Sequence, residues 1–282
     1  MKFFRFFVRH NVLFFLLYCG SLCIVLFPAA FFLRDLYPWI ASAVGILWIA
    51  FFIAVVPVYA IRRSRAIANA CTPEEGIQFA DAVLQGLDLP ALFNKKKSGS
   101  MARALWIDRG TYLFFLGRFD EAIADYAYLE PYQNKIKPIY MLFMYDGLLQ
   151  IAAMRGNLPL ARYYFEQQAA LLENKSVTRY LKLFKLSPQQ ILCTNEMTLA
   201  LYSGDYLRAE TLFRQSPTFT PPNIVNTTLL QVSNAYMTGL LYYRLGNFTQ
   251  ALPQLQFAAQ NGGTTFYRAE AERLLSEMQM EQ

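Results

Sequence analysis

The side chains that most often do covalent chemistry are sparse in this sequence. Its one histidine, His10, stands in a basic stretch ahead of an uncharged apolar run, so no Ser-His-Asp or Cys-His relay is expected around it. The adjacent carboxylates Asp120 and Glu121 open a helical run. Acidic side chains there favour the positive end of the helix dipole, which explains them without proton transfer. No glycine-rich loop precedes a helix to cradle phosphate, and Lys97-Ser98 follows no GxxxxG run. Cys19 and Cys23 lie four apart within the apolar run, and Cys71 and Cys193 are isolated. With no CxxC and no Cys/His cluster, neither a zinc site nor a disulfide framework is suggested, and packing is the expected role of all four. The expectation is a protein without catalytic residues, metal or cofactor. A membrane enzyme is the alternative, and it needs a converging polar cluster that the order of residues does not reveal.

A different spacing stands out, one suited to recognition. Four segments align without gaps, each with a glycine, a large apolar residue two later and an alanine five later. They are Gly117, Phe119, Ala122; Gly156, Leu158, Ala161; Gly204, Tyr206, Ala209; and Gly246, Phe248, Ala251. Nine residues after each glycine comes another large apolar residue: Tyr126, Phe165, Phe213 and Leu255. Glycine ends a helix because it takes the left-handed conformation without Cβ strain. An Asp or Asn just beyond caps the next helix. The small alanine lets the second helix approach the first. This spacing predicts helix pairs over 101–116 with 120–130, 138–155 with 158–173, 188–203 with 206–215, and 224–245 with 248–260. Residues 264–280 carry charge on one face and suit a solvated capping helix. A further helix is expected over 74–87, a linker over 95–100, and a loop at Pro217, Pro221 and Pro222. Residues 174–187 form the main insertion. There Val177, Tyr180, Leu181 and Phe184 share one helical face among Lys175, Arg179, Lys182 and Lys185. Such a helix either lies on an anionic membrane or packs on its neighbours with its lysines in water.

The elements ahead of these hairpins have another character. Apolar residues make up 55% of the chain and charged residues 16%, against roughly 25% charged in a typical soluble domain. Residues 12–33 and 39–61 contain no charge, and each is long enough to cross a hydrocarbon core of about 30 Å as a helix. The five-residue connection between them makes the pair a membrane hairpin with both ends on one side. Lys2, Arg5, Arg9, Arg62, Arg63 and Arg65 flank its outer ends, which places both termini in the cytoplasm. Tyr37, Trp39 and Tyr59 fall at the interfaces. The whole net charge of +6 lies within residues 1–65, the rest being neutral, so the electrostatic case for nucleic-acid binding fails. A cleaved signal peptide would have a shorter apolar core than either run.

With these four glycine-led turns the chain resembles the tetratricopeptide-repeat (TPR) family over about residues 101–260. Gly110 and Gly239, seven before the first and last turn glycines, match the family's small residue in the first helix of a repeat; Leu149 and Met197 replace it in the middle units. The turn glycines are 39, 48 and 42 residues apart, against a family repeat of about 34, which implies longer helices or insertions. The fold class expected is therefore all-α. A transmembrane hairpin over 1–65 and a connecting helix and linker over 66–100 lead to a TPR-like solenoid of about four helix pairs over 101–282, with a C-terminal capping helix. An irregular α-bundle with tight glycine turns is the alternative.

The resemblance implies a binding protein whose first helices line a concave groove. Carried over position by position, that groove consists of Thr111 and Phe114, then Asp146 and Gln150, then Thr194 and Thr198, then Tyr236 and Tyr243. The Lys/Asn/Arg clamp of the chaperone-binding branch is absent at these positions, which disfavours a receptor for chaperone tails. The function expected is a non-catalytic, membrane-anchored scaffold for partner proteins at the cytoplasmic face. It would touch lipid through residues 12–61 and bind no nucleic acid. The alternative is a structural subunit that docks on other membrane proteins through its hairpin.

Overall fold

The computed structural model describes residues 62–96, 99–183, 186–215 and 227–280. The two apolar runs at 12–33 and 39–61, and the proline loop at 217–222, lie outside the described residues. Among the described residues no helix is long and apolar enough to cross a membrane, and there is no strand.

Residues 62–70 are helical. They lead into α1 (Pro73–Leu84) and the short α2 (Leu89–Phe93). Four helical hairpins follow: α3 (Ser100–Phe115) with α4 (Phe119–Tyr128), α5 (Pro138–Met154) with α6 (Leu158–Leu172), α8 (Pro188–Tyr202) with α9 (Tyr206–Gln215), and α10 (Thr228–Arg244) with α11 (Phe248–Asn261). A 3-10 turn over Glu130–Lys135 joins the first to the second. The insertion forms α7 (Lys175–Leu183), and α12 (Phe266–Met280) closes the chain. Within each hairpin the two helices pack on each other, and α3, α5 and α8 also touch in succession, as do α9 and α10.

The hairpin turns share one construction. Gly117, Gly156, Gly204 and Gly246 all have φ between 70° and 85°. In each turn the glycine N–H donates to the carbonyl three residues earlier, and the next N–H donates to the carbonyl five residues earlier, as in Arg118 to Leu113 at 2.9 Å and Asn247 to Tyr242 at 2.9 Å. These are Schellman closures, which satisfy the orphan carbonyls of the first helix. Asn157, Asp205 and Asn247 then accept from the N–H three residues on, capping the second helix. The first turn has Arg118 at that place, and Asp120 lies inside α4, where it pairs with Arg155 at 2.8 Å instead of capping.

Close approach of paired helices explains the remaining spacings. Ala122, Ala161, Ala209 and Ala251 are all fully buried. A Cβ on Gly110 would stand 2.6 Å from the Tyr126 ring, and one on Gly239 would stand 2.7 Å from Leu255. The glycine seven before the turn and the large residue nine after it therefore touch across the same hairpin.

Two features depart from an open stack with a solvated end. One face of α12 is in water, where Arg273 pairs with Glu270 and Glu277. Its other face buries Tyr267, Ala271, Leu274 and Met278 against α10 and α11. Its first residues return to the beginning of the array. Phe266 packs edge-on to Phe114 and Phe119 at 5.5 and 5.4 Å. The Thr264 N–H donates to the Cys71 carbonyl at 3.0 Å, and its hydroxyl donates to Glu74. Residues 264–266 thus meet residues 71–74 and the first hairpin. The segment expected as a plain linker is also held. Arg103, fully buried, donates to the carbonyls of Phe93, Lys95, Lys96 and Lys135.

Candidate functional site

The eight positions that the resemblance assigns to a groove fall into two groups. Thr111, Asp146, Gln150 and Thr194 keep access to solvent, and Thr194 is exposed. Phe114, Thr198 and Tyr236 are buried at 3–4% exposure. Phe114 belongs to the aromatic cluster with Phe115, Phe119 and Phe266. Thr198 returns its hydroxyl to the Thr194 carbonyl at 3.0 Å. Tyr236 packs on Tyr267 with ring centres 5.3 Å apart and bonds to Tyr202. Tyr243 is half-buried and donates to Glu277 of α12 at 3.1 Å. The fourth-unit positions are covered because α12 lies over them.

The polar group that remains spans three hairpin helices. Asp146 on α5 accepts from Gln150 at 2.9 Å and from Gln168 on α6 at 3.3 Å. Gln168 also donates to the Leu142 carbonyl at 3.2 Å and accepts from Asn195 on α8 at 2.6 Å. Gln168 and Asn195 are buried. The carboxyl of Asp146 is raised by burial, with the bonds from Gln168, Asn195 and Gln150 working against that rise. A buried polar network of this kind fixes the relative register of its helices, since an unmade bond there is costly. Sequence reasoning found Asp146 and Gln150 but missed Gln168 and Asn195. No residue-type signal marks either, because each lies among ordinary helix residues.

A second cluster was also missed. Asp108 on α3 lies one turn before Tyr112, on the same helix face. Its side chain reaches water, yet it has no hydrogen bond or ion pair among the described residues. Desolvation by nearby protein pushes its carboxyl up to about 7. Its charge acts on Tyr112, on Tyr140 of α5 and on Tyr180 of α7. Burial, reinforced by Asp108, raises the Tyr112 phenol to about 12. Tyr112 also meets the Ser64 hydroxyl at 3.4 Å, which brings the helical residues 62–70 to this face of α3. The arrangement gathers one carboxylate that has no partner among the described residues and phenols from three helices. It suits hydrogen-bond donors and cationic groups, and it holds no nucleophile–base pair.

A quarter-turn or so round α3 from Asp108, Arg109 joins Asp81 of α1 at 2.7 Å and Asp125 of α4 at 2.5 Å. Its guanidinium lies over the Trp106 ring. Burial drives the Asp125 carboxyl up to about 6, although Arg109 opposes the rise. An open depression of about 640 Å3 beside this network is lined by Gln78, Asp81, Gln85, Leu87, Leu89 and Trp106. Its charged group, Asp81, is already engaged by Arg109, so nothing there converges on a substrate. Among the described residues no three His, Cys, Asp or Glu side chains are grouped to hold a metal. Cys71 is buried and Cys193 half-buried, and burial raises both thiols away from the reactive thiolate.

The described residues thus define an all-helical protein of consecutive glycine-turned hairpins. Compared with protein-family models, with curated proteins and with solved structures, the chain matches none.

Proposed function

We propose that the chain is a membrane-anchored, TPR-like scaffold that binds partner proteins through the inner wall of its hairpins at the cytoplasmic face, without catalysis of its own. The observation that carries this reading is the exposed Asp108, which has no partner among the described residues, together with Asp146, Gln150 and Thr194. These side chains reach solvent and offer hydrogen-bonding groups, on helices whose other faces are packed into the core. The four Schellman turns and the glycine contacts to Tyr126 and Leu255 support a TPR-like construction. The uncharged runs at 12–33 and 39–61 support the anchor.

A photocrosslinking amino acid at Thr194 or at Asp108, in native membranes, captures a defined partner under this reading. The same group at buried Tyr236 captures none. Blank reactions at both exposed positions refute it. Replacing residues 1–61 with an unrelated anchor separates the scaffold from a subunit that docks through its membrane hairpin: the scaffold keeps its partner, the subunit loses it. Resistance of the chain to alkaline carbonate extraction tests the anchor itself.

A further inference from the structure

The inner and outer faces of α7 have different fates. Val177 and Leu181 are fully buried against Ile139, Leu142 and Leu172. The apolar face is therefore committed to the array, and α7 is fixed in place rather than free to insert into lipid. Its outer face carries Lys175, Arg179 and Lys182, all exposed. None of the three has an ion pair or hydrogen bond through its side chain among the described residues. Elsewhere on the surface Arg118, Arg208, Arg214 and Arg273 each hold a carboxylate. The only acidic residue within 173–183 is Glu173, so this face keeps a net positive charge. At its end Leu183 is 76% exposed, an apolar side chain with no cover.

The residues ahead of α1 point to a partner for this face. Asp108, whose charge reaches Tyr180 of α7, lies one turn from Tyr112, and Tyr112 meets the Ser64 hydroxyl at 3.4 Å. Residues 62–65 directly follow the second apolar run in the sequence. That run ends in Arg62-Arg63-Ser64-Arg65, residues that belong at the headgroup level on the cytoplasmic side.

We propose that the outer face of α7, Lys175, Arg179 and Lys182 with Leu183 at its end, docks on the anionic headgroup surface of the membrane that holds the chain. The inference rests on the anchor reading above and adds a second, electrostatic contact to it. Each Lys or Arg near an anionic bilayer surface contributes roughly five-fold in occupancy. Three such charges give weak binding for a free domain, but an anchored one is already held close, so a weak contact suffices. The contact fixes the tilt of the array and so the height at which Asp108 faces a partner.

The test uses the full chain reconstituted into vesicles of phosphatidylcholine, with or without phosphatidylserine, each carrying its diazirine-labelled counterpart as photoprobe. Adducts are mapped by mass spectrometry, and carbonate extraction is run in parallel. Adducts on the 175–183 peptide are expected with phosphatidylserine at low salt. They fall several-fold at high salt and in the triple variant Lys175→Glu, Arg179→Glu, Lys182→Glu. Because Val177 and Leu181 are untouched, that variant keeps its helical circular dichroism. An anchored chain with no adducts on α7, or with equal adducts in both vesicles, overturns the proposal and leaves the anchor standing. A chain stripped by carbonate that still labels α7 in a phosphatidylserine-dependent way upholds the surface contact and refutes the anchor. A stripped chain without such labelling ends both.

Discussion

Replacing Arg103 with Met is expected to cost about 3 kcal/mol. The side chain is 1% exposed, and its guanidinium donates to Phe93 at 2.5 Å, Lys95 at 3.0 Å, Lys96 at 2.9 Å and Lys135 at 2.7 Å. All four acceptors are backbone carbonyls at the end of α2, in the segment after it and at the end of the 3-10 turn. No carboxylate shares the site, and Arg103 Nε has no acceptor. Burial lowers the Arg103 pKa, as expected of a cation without a counter-ion. A charge-assisted bond contributes about 1.5–3 kcal/mol, so four amount to roughly 6–12 kcal/mol gross. The variant has no guanidinium to desolvate, which offsets several kcal/mol, and the carbonyls of Lys95 and Lys96, on exposed residues, regain solvent. What remains is about 3 kcal/mol. For a body of this size, at roughly 2–4 °C per kcal/mol, the melting temperature falls by about 6–12 °C. Arg103→Lys keeps the charge but offers donors from a single point, and it should lose about half as much. Thermal circular dichroism in mild detergent reads the first quantity, and trypsin cleavage after Lys95 and Lys96 reads local release of the segment. A Met variant that melts with the wild type and is cut no faster at 94–99 refutes the assignment of Arg103 as the tie between that segment and the array.

Other expectations follow from the same geometry. Gly239→Ala drives a methyl group into Leu255 and should cost about 1–3 kcal/mol; Leu255→Val in the same chain should recover part of it, and additive losses in a double-mutant cycle would sink the contact. Gly156→Ala meets no neighbour within 4 Å but sits at φ 72°, so its cost is backbone strain of about 1–2 kcal/mol, and no second-site change of volume should relieve it. Asp108 has a folded pKa above its unfolded value of about 3.9, so its ionisation opposes folding, with the penalty growing from about pH 4 and complete above about pH 7. Asp108→Asn should therefore raise the melting temperature at about pH 8 and leave it unchanged near pH 4; an equal shift at both would contradict the raised pKa. Thr264→Val removes the hydroxyl contact to Glu74 and should speed deuterium uptake at 69–76 and at the start of α12 together; uptake confined to α12 would deny the closure.

The local architecture was legible because its causes are local. Each hairpin turn depends on one glycine at positive φ and on alanine and aromatic residues within a few positions of it. Helix pairs 138–154 with 158–172 and 188–202 with 206–215 accordingly lie within a residue or so of where the spacing put them. The missed elements had weaker local signals: the one-turn α2 inside the stretch before the linker, and the 3-10 turn after α4. For α7 the amphipathic pattern was plain, but the pattern is the same whether its apolar side meets lipid or protein. Only the burial of Val177 and Leu181 against Ile139 and Leu142 distinguished the two.

The site was legible only in part. Asp146, Gln150 and Thr194 keep access to solvent, whereas Phe114 and Tyr236 became core when α12 returned over them. Thr264, at the head of that return, is tied to Cys71 and Glu74, some 190 positions away, and no spacing encodes the tie. Arg103 shows the same limit from another side. Its acceptors are peptide carbonyls, which every residue carries, so nothing in the identities of Phe93, Lys95, Lys96 or Lys135 announces them. By itself the sequence determined which segments become helices, where they turn and how closely partners can approach. The tertiary structure decided which helix faces remain for a ligand, because exposure depends on everything that packs nearby, however distant along the chain.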